Sequence, residues 1–146
     1  MHVLQVEPQL LENYVANGRV RLAFWHVLDH GAASQLTHRA AECAGRQSPL
    51  GFWRMHHLLF ERQGQLWSAT PETMATFATE LALDGPALLT CLDDPAIGEK
   101  VARMDQERRE RGIRARPSFD LNGEIIPGAA PYATFSQVLD GLLAGP

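Results

Sequence analysis

Two cysteines, six histidines and one proline-bearing loop are the parts of this chain with the means to do chemistry. Cys43 and Cys91 stand far apart, so they make no C-x-x-C redox pair, and by themselves they cannot complete a four-ligand zinc site. Each lies in an apolar, helix-prone stretch, "RAAECAGRQ" and "ALLTCLDD". Two readings follow from that setting: two buried thiols packed as small hydrophobes, or one structural disulfide between helices in an oxidising compartment. The histidines are His2, His26, His30, His38, His56 and His57. None forms the paired-histidine motif with a carboxylate base that zinc hydrolases use. His26 and His30 are four apart but straddle a strand-to-loop boundary, and adjacent His56 and His57 point to different sides of a helix. No metal and no cofactor is expected. Asp29, His30 and Ser34 crowd one short stretch, where caps and turns account for them better than a hydrolase triad does.

The loop lies in "GIRARPSFDLNGEIIPGA", Gly112 to Ala129. A proline with fixed φ leads into a β-prone run, Asn122-Gly123 supplies a two-residue turn, and a second apolar run returns. The basic cluster "RRERGIRAR" just before it reads as a solvated helix end. With a formal net charge of −4, the chain has no footprint for nucleic acid or an anionic membrane.

The elements that must position these residues can be read from periodicity and punctuation. Val3 to Val15 has helical spacing, with Pro8 forcing a kink or a restart, and Asn17-Gly18 ends it. Arg19 to Trp25, "RVRLAFW", is expected to be a strand. A long helical stretch follows. Ser34 is expected to cap one helix and Pro49 to open the next. Thr70 starts a third with Thr73 in the reciprocal capping position, ahead of a stripe of Met74, Phe77, Ala78 and Leu81. Gly85-Pro86 breaks the run, Pro95 opens a helix lined by Ile97, Val101 and Met104, and Gly112 closes it. Strands "SFDL" and "EII" precede a last helix striped by Phe135, Val138, Leu139 and Leu142. At 146 residues, 45% apolar and 21% charged, this suits one globular unit of mixed helix and strand. No apolar run is long enough to span a membrane, and the first fifteen residues lack the pattern of a signal peptide. Read literally, the chain is cytoplasmic.

Three ordered motifs resemble the DsbA-like thiol-disulfide oxidoreductases. "CAGRQ" with "FWRMHHLLFERQ" is similar to that family's helical insertion, and "LALDGPALLTCLDD" to its later helices. "GIRARPSFDLNGEIIPGAAPYATF" resembles its closing segment. The resemblance implies an α/β thioredoxin-like fold, with residues 1–28 and 112–146 forming the thioredoxin-like part and 29–111 an inserted helical domain. It implies dithiol/disulfide exchange in substrate proteins. By position Pro117 is the family's cis loop proline, and Ala115, Arg116 and Pro117 form the platform for extended segments of thiol-containing proteins. Arg116 replaces the family's usual Thr or Val. A cation there would stabilise a neighbouring thiolate, or it is an exposed arginine without a redox role. Cys43 and Cys91 are expected within disulfide reach. Met1 aligns inside the family's first helix, so the first central strand and the C-x-x-C are expected to be missing. The chain would then be a fragment or start at an internal methionine, inactive alone, and a natural short form would need a second copy or a strand-donating partner. The family is commonly extracytoplasmic, which would require a lost signal or anchor. Two other readings stand beside it: a non-catalytic peptide-binding module, and a relative of the kappa-class glutathione transferases and isomerases.

Overall fold

The computed structural model describes residues 2–145. It divides into two compact units, one comprising the chain up to Phe24 and from Arg111 onward, the other running from Trp25 to Glu110.

In the first unit, α1 (His2–Gln5) is followed by α2 (Glu7–Leu10), which restarts with Pro8 in its first turn, where a missing N–H costs nothing. A π-helical turn, Leu11–Val15, completes the segment, and Gly18 leaves it at φ +75°. Strand β1 (Ser118–Leu121) pairs antiparallel with β2 (Glu124–Pro127), Phe119 opposite Ile126 and Leu121 opposite Glu124. The connecting Asn122 and Gly123 both have positive φ (55° and 104°), the backbone a two-residue hairpin of this hand requires. Helix α8 (Tyr132–Ala144) closes the unit. Its Phe135 and Leu139 pack with Leu10 and Tyr14, and Phe119 meets Phe135 edge-on at 4.5 Å.

The second unit is helical: α3 (Gly31–Gln47), α4 (Gly51–Glu61), a 3-10 turn (Gln63–Ser68), α5 (Pro71–Glu80), α6 (Gly85–Leu92) and α7 (Pro95–Glu110). Thr70 caps α5 in a reciprocal box with Thr73, and Asp84 caps α6 by accepting from the Ala87 N–H at 2.8 Å. One core joins Ala40, Ala41, Cys43 and Ala44 of α3 to Met55, Met74, Phe77, Leu88 and Ile97 on the other helices. No helix among the described residues is long and apolar enough to cross a membrane.

Three expectations fail. Pro49 does not open α4 in its first turn: the helix begins at Gly51, with Leu50 at its N-cap. Ser34 is not an N-cap: α3 begins at Gly31, and Ser34 accepts a hydrogen bond from the His30 N–H at 3.0 Å, reaching back over the first turn. Arg19–Trp25 is not a strand either. Its burial alternates with period two, Val20, Leu22 and Phe24 half-buried between exposed Arg21, Ala23 and Trp25. Yet β1 and β2 make the whole sheet of the described residues, and no backbone hydrogen bond links Arg21, Leu22 or Ala23 to a neighbour. An extended segment becomes a strand only when a ladder satisfies its N–H and C=O groups, and here none does.

Helices α3 and α4 meet through small residues. A Cβ placed on Gly51 would lie 2.0 Å from the Ala44 carbonyl oxygen, a backbone atom that cannot swing aside. Gly51→Ala should therefore force the helices apart and cost about 1–3 kcal/mol of unfolding free energy. Urea denaturation of the variant measures it, and an unchanged midpoint would contradict this packing.

Candidate functional site

The proline loop is built from backbone upward. Gly112, at φ +74°, turns the chain away from the end of α7. The Arg116–Pro117 peptide bond is cis. On one side of it Ser118 Oγ donates to the Ala115 carbonyl at 2.7 Å, and on the other the Gly128 N–H donates to the Pro117 carbonyl at 2.8 Å. Those bonds fix the loop to the mouth of the hairpin while Ala115 and Arg116 stay exposed and Pro117 is half-buried. The edge of β1 opposite β2 carries no strand among the described residues.

Charge stiffens the same hairpin. Arg111 pairs with Asp120 Oδ2, and Asp120 Oδ1 accepts the Gly123 N–H at 2.6 Å, tying strand to turn. The Arg111 contact, then the turn N–H, holds the Asp120 carboxyl below the ordinary carboxylate range, so this tie survives until strongly acid pH. At the other end of the unit, Tyr14 Oη donates to Asp140 Oδ1 at 3.1 Å, and Arg19 reaches the same oxygen at 3.3 Å. Burial and the Asp140 carboxylate raise the Tyr14 hydroxyl above its usual value, so it remains a donor.

Cys43 and Cys91 are joined in a disulfide between α3 and α6, with Cα atoms 5.8 Å apart. Cys43 is fully buried and Cys91 half-buried. These are the chain's only cysteines, so its 146 residues hold no thiol able to attack a disulfide. No cluster of potential metal ligands occurs among the described residues.

Reasoning from residue types passed over one constellation. His26, with no exposed surface, places Nδ1 2.9 Å from His38 Nδ1 and Nε2 2.8 Å from Glu42 Oε1. Glu42 also binds Lys100 of α7, and His38 Nε2 lies 3.2 Å from the Val27 carbonyl. The signal was present: the alternation from Val20 to Phe24, carried one step further, points His26 inward, and His38 and Glu42 are one helical turn apart on α3.

A family model described as Thioredoxin matches residues 2–141. Disulfide bond formation protein D of Bacillus subtilis is 27% identical over 142 residues, covering 94% of this chain and 64% of that protein. The Na(+)/H(+) antiporter NhaA of Herminiimonas arsenicoxydans is 30% identical over 118 residues, 81% of this chain but 18% of the antiporter. The chain thus spans a little under two thirds of the first relative and under a fifth of the second. The crystal structure of oxidised BdbD from Bacillus subtilis superposes with a TM-score of 0.86 at 24% identity, over 98% of this chain and 79% of that one.

The cross-link closes a loop of nearly fifty residues, and chain-entropy arguments assign such a closure a few kcal/mol. Replacing Cys43 and Cys91 together by alanine should lower the unfolding free energy by about 2–4 kcal/mol in guanidinium titrations. The untreated native chain should show no titratable thiol.

Proposed function

We propose, from the premise that this chain belongs to the thioredoxin family in its DsbA-like form, that it supplies the client-holding part of a thiol-disulfide oxidoreductase. The observation that carries this reading is the exposed Ala115–Arg116–Pro117 loop, braced from both sides at the start of a strand whose outer edge is open. An extended client segment beside that loop would find backbone groups for strand-like pairing, and β-augmentation of this kind takes affinity from the main chain rather than from side-chain identity. The relative's name, disulfide bond formation protein D, supports the chemistry: a client dithiol oxidised through a mixed disulfide. Electrons would pass from the client's two thiols to the disulfide of a C-x-x-C pair, a motif absent from these 146 residues, whose one disulfide, Cys43–Cys91, lies between helices. Arg116 would sit close to a docked sulfur and favour its thiolate.

The second reading, a non-catalytic peptide-binding module, is favoured by the absence of any free cysteine in the 146 residues. Both readings require binding at the same loop, and they part on turnover.

Fluorescence anisotropy with an extended peptide carrying serine in place of cysteine should show saturable binding. Ala115→Trp, which fills the platform from an exposed position, should weaken it at least about fivefold, or roughly 1 kcal/mol. Binding that ignores this substitution would rule out the loop as the platform. The chain alone should not reduce insulin or oxidise a dithiol peptide above the buffer rate; turnover would refute the need for an outside cysteine pair.

A further inference from the structure

The four side chains around His26 have a donor–acceptor order that can be worked out one proton at a time. The Val27 carbonyl only accepts, so His38 Nε2, 3.2 Å away, carries hydrogen. Burial, then the neighbouring His26, depresses the His38 pKa to about 4, so near neutral pH its Nδ1 is a bare acceptor. His26 Nδ1, 2.9 Å from it, must then donate. On the other side of the ring, Glu42 is ionised. Burial pushes that carboxyl up, but hydrogen bonds from His26 and Lys100 outweigh it and hold the group below its ordinary range. Facing a carboxylate at 2.8 Å, His26 Nε2 must donate as well. The geometry thus asks His26 for a donor at each ring nitrogen, one toward the Glu42 carboxylate and one toward a neutral His38.

We propose that His26, His38 and Glu42 form a pH-gated clamp that fastens the first residues of the helical unit, His26 to Leu28, onto α3, and that a second proton entering at His38 Nδ1 loosens it by releasing the His38 half. Once His38 is charged, two N–H groups point at each other across 2.9 Å and no lone pair remains between them. The His38 ring must turn away, and turning withdraws Nε2–H from the Val27 carbonyl. The segment keeps the His26 Nε2–Glu42 Oε1 pair at 2.8 Å and the Leu28 N–H bond to Asp105 Oδ1 at 2.9 Å, a carboxylate of α7 also bound by Arg108 and Arg109, but loses the ties that run through His38.

The groups around His38 set the direction of the response. His26 and the buried His56 of α4 oppose a second charge, while Asp105 of α7 favours it. Glu42 is committed to His26 and Lys100. Because the ring's pKa is lower with the clamp shut than in the open chain, the open form binds more protons between about pH 6.5 and 4. The clamp is therefore firm above that window and loosens as pH falls through it.

Nitrogen-detected NMR of the intact chain at pH 7 should find both ring nitrogens of His26 protonated and only Nε2 protonated on His38. Amide exchange at Leu28 should report an opening constant that rises on the order of tenfold between pH 7 and pH 5. His38→Gln keeps an N–H for the Val27 carbonyl but cannot titrate, and should abolish that dependence. A singly protonated His26 at pH 7, Leu28 exchange indifferent to pH, or a pH dependence that persists in His38→Gln would each overturn the clamp. If His38→Gln does not fold, the NMR titration and the Leu28 exchange of the unaltered chain decide alone.

Discussion

How closely α6 can lie along α3 governs the helical unit. The seam is fastened at three levels. Near the C-terminal end of α3, the Gln47 side-chain amide donates to the Asp84 carbonyl at 2.9 Å and accepts the Asp84 N–H at 2.7 Å, gripping the residue that caps α6. One turn back is the Cys43–Cys91 bond, and a further turn back Arg39 reaches the Leu92 carbonyl at the other end of α6. Between these ties α3 presents Ala40, Ala41 and Ala44, which bring neighbouring backbones close and leave little room for adjustment. The approach of Gly51 of α4 to the Ala44 carbonyl is the same constraint met on another side of α3.

The first unit is stabilised differently. Its buried apolar cluster is small, and an aromatic contact and directional bonds at chain turns add to its order. Asp120 serves two of these, one to Arg111 and one to the turn at Gly123. Asp140 likewise gathers Tyr14 and Arg19. Partly exposed ion pairs contribute little to stability by themselves, so their part here is orientation: they tie β1 to Arg111 and its own turn, and α8 to Tyr14 and Arg19.

Local grammar was the most readable part of the sequence. Thr70 with Thr73, Pro95 at the start of α7, Gly112 after its end and Asn122-Gly123 in the hairpin act on their own backbone, and the structure has each where the pattern puts it. The resemblance to DsbA-like proteins located the Pro117 loop from its ordered motif. What could not be read depended on partners distant in sequence. "RVRLAFW" has every property of a strand except a neighbour, and no segment reveals from its own residues whether another will pair with it. Ser34 was misplaced because His30-Gly31 starts α3 without a side-chain cap. The His26 cluster was legible only in halves: alternation turns His26 inward and spacing sets His38 beside Glu42 on α3, but their meeting, with Lys100, joins three elements.

The bond between Cys43 and Cys91 makes a covalent ring of everything from α4 through most of α6. One exposed stretch of it is the 3-10 turn Gln63–Ser68, where Trp67 is 71% exposed. A protease cutting there would add one water and leave a single molecule with two new ends. Damage at this turn would be invisible to size separation under oxidising conditions and would appear only after reduction, so the ring protects chain integrity at an exposed place on its surface.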